Sequence, residues 1–69
     1  MDFTDNELMN AVKNEMIRND RFKEQVYNAI EKNRRNELKA LVSKVAKKVF
    51  GEVIPKVIIE VVDIFLSYS

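Results

Sequence analysis

From Leu38 onward the apolar residues fall into step. Leu38, Leu41, Val42, Val45, Ala46, Val49 and Phe50 recur at three- and four-residue intervals, the spacing that lines one face of an α-helix. Lys39, Lys44, Lys47 and Lys48 fall on the opposite side, and the later lysines complement the negative end of the helix dipole. Gly51 then stands where a left-handed C-terminal cap belongs. The pattern predicts a helix over 36–50.

The same spacing organises the first half of the chain. Leu8, Ala11, Val12 and Met16 make one stripe, preceded by Thr4-Asp5-Asn6-Glu7. That tetrad matches a capping box, in which Thr and Glu satisfy each other's backbone amides. Asn19-Asp20 reads as a stop followed by a new N-cap, because Asn tolerates the left-handed conformation and Asp accepts from free amides. Phe22, Val26, Ala29 and Ile30 then form a second stripe with Tyr27 beside it. Helices over 4–18 and 20–33 are expected. Between the second and third stripes lie seven consecutive polar residues, Glu31 to Glu37. No glycine or proline breaks them; a break near Asn33 to Asn36 is favoured over one continuous helix, which leaves three or four helices in all.

The last segment is rich in Val and Ile, and composition alone would make it a strand. Its period decides otherwise. Lys56, Glu60, Asp63 and Ser67 are spaced four, three and four apart, and at about 100° per residue they gather within an arc of about 60°. Pro55 suits the first turn of a helix, where its missing donor costs nothing. A helix over 54–67 follows, apolar around about 240° of its circumference where an ordinary surface helix shows about 100°. Such a helix should be central and enclosed. In so small a chain a second copy is an economical cover, since oligomerisation commonly supports domains below about 70–80 residues. The expected interface for self-association or for another partner is Val57, Ile58, Val61, Val62, Ile64 and Phe65.

The expected fold is therefore all-α: a small helical bundle forming one domain over 1–69 and pairing into a homodimer. Only one glycine and one proline occur, too few for the tight turns of an all-β protein. With 46% apolar and 33% charged residues the chain has a folded domain's balance, not a disordered tail's.

Composition also narrows the chemistry. Cysteine and histidine are both absent, which removes disulfides, thiolate metal sites, the commonest zinc ligand and the commonest proton shuttle. No catalytic, cofactor-binding or metal site is predicted. Glu60 and Asp63, one turn apart, are read as the solvated stripe of the last helix. Gly51 stands alone, so there is no Gly-rich phosphate loop.

A net charge of +1 gives no global pull toward nucleic acid or anionic lipid. The signs are unevenly placed, however: from Lys32 onward eight bases face four acids. Arg34, Arg35, Lys39, Lys44, Lys47 and Lys48 thus offer a nucleic-acid contact face, by counterion release rather than base reading. A helix-turn-helix reader fails on composition, because the helix after Gly51 would present isoleucines to base edges. The most apolar stretch is too short and too charged to span a membrane, and the acidic N-terminus is unlike a secretory signal. A cytoplasmic protein is expected, with no membrane partner. Its abundant Asn, Lys and Ile are the usage of an AT-rich phage or bacterial genome, an association and not a physical inference. The favoured function is a non-enzymatic interaction module, of the regulator or inhibitor kind, that self-associates and binds another protein. The alternative is a helical dimer that binds nucleic acid through residues 32–48.

Overall fold

Four helices account for most of residues 2–68, the part of the chain that the computed structural model describes: α1 (Asp5–Arg18), α2 (Asp20–Glu31), α3 (Arg35–Phe50) and α4 (Pro55–Ser67). No strand occurs among the described residues. Each boundary has a local cause. At the start of α1 the Glu7 amide donates to Thr4 Oγ1 at 3.2 Å and the Thr4 amide donates to Glu7 Oε1 at 2.8 Å, completing the capping box. Phe3, just ahead of the cap, turns inward and stacks on Phe50 with ring centroids 4.5 Å apart. It shares the core with Leu8, the pairing of positions expected of a hydrophobic staple.

The α1–α2 junction is tighter than the sequence reading had it. Asn19 alone performs both tasks: its amide donates to the Glu15 carbonyl to end α1, and its side-chain oxygen accepts from the Phe22 amide at 3.1 Å to begin α2. Its backbone is extended rather than left-handed, and Asp20 is the first residue of α2 instead of its cap. The left-handed asparagine is Asn33, with φ of 53°. There the Arg34 amide donates to the Ala29 carbonyl and the Asn33 amide to the Ile30 carbonyl, the double closure of a Schellman motif with Asn in the usual place of Gly. The polar run therefore does break the chain, ending α2 two residues sooner and starting α3 one residue sooner than expected. Gly51, with φ of 76°, ends α3, and Pro55 opens α4.

α1 and α3 each pack against all three other helices, whereas α2 and α4 scarcely touch. α1 and α3 therefore share the centre, and the most apolar helix stands to one side of it. The core comprises Phe3, Leu8 and Val12; Phe22, Val26 and Ala29; Leu38, Val42, Val45 and Ala46; Ile58, Val61, Val62 and Phe65. No polar or charged residue is buried among the described residues.

The Cα radius of gyration is 10.8 Å, against about 11 Å for a folded chain of this length. The accessible surface of 4674 Å² compares with about 4,500 Å² from the scaling for monomers. One copy thus has an ordinary monomer's size and exposure.

Candidate functional site

In α4 the buried residues, Ile58, Val61, Val62 and Phe65, occupy an arc of about 100°. Four of the six residues expected at an interface are therefore part of this chain's own core, covered without a second copy. The reason lies in packing: α1 and α3 both lie against α4, and two neighbouring helices suffice for a stripe of ordinary width. The remaining two, Val57 and Ile64, are half-buried at one margin of that stripe. At the other margin Leu66 is half-buried and Ile59 exposed. The broad apolar girth of α4 resolves into a buried centre with partly wet edges.

Because α2 and α4 do not close on each other, an open groove of about 800 Å³ lies between them, with α1 in contact with both. Met16, Ile17 and Lys13 contribute from α1, Tyr27, Ile30 and Lys23 from α2, and Phe65 and Tyr68 from the end of α4. Ile17, Tyr27 and Tyr68 are exposed to 78, 57 and 74%. Met16 and Ile30 pack partly on the core beneath. Val57 and Ile64 share an edge of α4 with Tyr68, the three lying within about 40° by helical position. Ile17 also borders a second depression on its other side, with Val49 and Phe50 of α3. Large apolar side chains exposed together are less ordinary than the same number scattered singly.

The groove's backbone lies almost wholly within helices, whose amides and carbonyls are already paired. It offers no strand edge for an extended peptide. No acidic side chain lines it, and its two cations, Lys13 and Lys23, form no ion pair among the described residues. Its chemistry is that of an apolar trough with a positive rim.

The six basic residues of the expected nucleic-acid face do not act together. Arg35 is engaged by Asp63 across α3 and α4, Arg34 pairs with Glu37 at 3.4 Å, and Lys48 reaches Glu15 of α1 at 3.1 Å. Lys39, Lys44 and Lys47 remain exposed and without ion pairs among the described residues, but they fan over about 140° of α3. Glu15 takes Arg18 as well, at 2.9 Å. The Lys48 ammonium and then the Arg18 guanidinium hold its carboxyl below its ordinary pKa of 4.5. With Asp63 turned toward Arg35, it does not form a pair with Glu60 alone on the solvated stripe.

Among the described residues no cluster of three or more acidic side chains is placed to hold a metal ion, and no helix is long and apolar enough to cross a membrane. Sequence reasoning did not connect Ile17 with Tyr27, Ile30 and Tyr68. Ile17 belongs to α1, Tyr27 and Ile30 to α2 and Tyr68 to the end of α4, and only the crossing of those helices brings them together. Comparison with the models of protein families, with curated proteins and with solved structures finds no match to this chain.

Proposed function

We propose that this protein is a non-catalytic interaction module that receives a helical segment of another protein in the groove between α2 and α4. The groove itself carries the reading: three large apolar side chains from three helices stand in water around a partly covered floor. A helix-in-groove contact would use it through side chains alone, the mode open to a surface with no free backbone edge. Met16 adds an unbranched, adaptable side chain suited to such a contact. Regulation or inhibition of the bound protein is the functional consequence in view.

Self-association is the second reading, favoured by the half-covered edge of Val57 and Ile64, which runs on to Tyr68 at the groove. A second copy laid along that edge would make α4 central to the dimer, though it is lateral in one copy. Nucleic-acid binding through α3 has weaker support, since three of its six cations already serve acids.

One set of measurements separates the three. A photo-crosslinking residue at Ile17 should trap one protein in a yield that nuclease leaves unchanged, and Tyr27→Asp should lower that yield at least tenfold. Trapping from Lys44 or Lys47 that nuclease abolishes would instead favour nucleic acid. Sedimentation equilibrium of Ile64→Asp beside wild type addresses the dimer. Val61 is no substitute there, because it is wholly buried within one copy and a carboxylate would disrupt folding.

A further inference from the structure

We infer that the groove selects an amphipathic helix whose apolar anchors are flanked by acidic residues; this rests on the groove reading above and specifies its occupant. Charge complementarity supplies the choice. Lys13 on α1 and Lys23 on α2 border the groove, and among the described residues no acidic side chain lines it and neither lysine is neutralised by an ion pair. The groove therefore carries two positive charges beside an apolar lining that includes Ile17, Tyr27 and Tyr68. An incoming helix must set its apolar residues against that lining and bring its flanks to the two ammonium groups. A flank of Glu or Asp gains attraction there, and a flank of Lys or Arg meets repulsion strengthened by the exclusion of water. Exposed charge pairs are individually weak, each changing affinity by about 1.4- to 5-fold. Two pairs, attractive in one partner and repulsive in the other, all act in the same direction, and near the weak end of that range they amount to a preference of about tenfold.

A second copy of this chain fits this chemistry less well. Its most apolar helix, α4, bears on its polar stripe Lys56 and an Asp63 that Arg35 already holds, which leaves Glu60 as the one acid of that helix without a partner among the described residues. The occupant is accordingly a different chain with several acids beside its anchors.

Two designed helical peptides of about 14 residues, or about 21 Å, test the inference directly. Both carry leucines at i, i+4 and i+7; one is flanked by Glu and the other by Lys. Titration into the intact protein, followed by backbone amide shifts and by fluorescence anisotropy, should show the Glu peptide binding about tenfold more tightly at low salt. Its shifts should centre on Ile17, Tyr27 and Tyr68, and the ratio should shrink toward one in about 1 M salt, where the Debye length is about 3 Å. Lys13→Glu combined with Lys23→Glu should reverse the preference; Lys13 is exposed and Lys23 half-buried, and circular dichroism of the double variant checks that it folds as wild type does.

Equal binding of the two peptides, weakened alike by Ile17→Asp, would overturn acidic selection while leaving the groove as a docking site. Absence of shifts at the groove with either peptide would remove the groove reading and this inference together. A dimer of the protein alone that Ile17→Asp converts to monomer would make a second copy the occupant, and the inference would fall.

Discussion

The two diagonals of this bundle have opposite characters. Along one, α1 and α3 pack closely: Leu8 and Val12 share the core with Val42, Val45 and Ala46, Phe3 stacks on Phe50, and Glu15 reaches across to Lys48. Along the other, α2 and α4 diverge and leave large apolar side chains in water. The composition of the helices does not explain the contrast, since α4 is the most apolar of the four. It follows from how many neighbours each helix has. α1 and α3 touch every other helix, whereas α2 and α4 do not close on each other, so the apolar side chains that border the gap stay wet. All four helices contribute to the core, but the first diagonal is closed and the exposed apolar side chains gather at the gap along the second.

That division is sharpest in truncation. Leu38→Ala, at a fully buried site on α3, is expected to cost about 2–5 kcal/mol. A domain of this length has only about 3–10 kcal/mol to lose. Ile17→Ala removes a side chain of similar size from the groove and should change stability by no more than about 0.5 kcal/mol. Urea denaturation of the two variants beside wild type measures both. A large loss from Ile17→Ala would mean that the groove is closed in solution, and the contrast between the diagonals would disappear.

Much of the closed diagonal was legible in the sequence, because burial on one face of a helix imposes a period. The stripes of α1 and α3, the Thr4–Glu7 capping box, the Gly51 cap and the helical nature of the Val- and Ile-rich end all follow from spacing and from local hydrogen bonding. The gap between α2 and α4 was not legible, although the stripe of α2 and the helical period of α4 were. A helical wheel gives the width of the apolar arc on α4 but not the number of neighbours that will cover it, so Ile58, Val61, Val62 and Phe65 read as an interface and lie in the core. Tyr68 lies beyond the last polar position that marked the stripe, and Tyr27 flanks its own. Neither shows a periodic signal, because a site assembled from three helices has no period in any one of them. Asparagine was equally ambiguous: Asn19 and Asn33 are both polar residues at helix ends, yet one is extended and the other left-handed.

The turn between α3 and α4 passes the chain from the closed seam to the wall of the groove, and it depends on one backbone conformation. Gly51 has φ of 76°, and a Cβ placed there would meet no atom within 4 Å. Gly51→Ala therefore probes the backbone alone, with an expected loss of about 1–2 kcal/mol from forcing an L-residue into the left-handed region. Asn33→Gly probes the corresponding turn ahead of α3 and should lie within about 0.5 kcal/mol of wild type, since either residue tolerates that region. Thermal or urea unfolding distinguishes the two. A neutral Gly51→Ala would show that α4 leaves the seam by a different turn, and the groove's wall would have to be placed anew.

The smallest expected effect concerns what the ion pair adds to the closed seam. Glu15 is mostly covered, with 12% of its side chain exposed, while Lys48 and Arg18 meet it from more open positions. Pairing with Lys48 first and Arg18 second lowers its pKa from the ordinary 4.5. A carboxyl that holds its proton less tightly in the folded chain contributes stability that is fully present above 4.5 and is lost as pH falls through the lower, folded value. Wild type should therefore shed this contribution in acid, whereas Glu15→Gln has none to shed. The gap between their urea midpoints should narrow once the pH drops below 4.5. Lys48→Met removes the chief cause of the shift, so the Glu15 carboxyl followed by NMR should then titrate closer to 4.5 than in wild type. If Glu15 in the unaltered protein already titrates at or above 4.5, the bridge is not populated in solution. Side-chain packing alone would then hold α1 to α3, and the closed diagonal would differ from the open one in fit but not in charge.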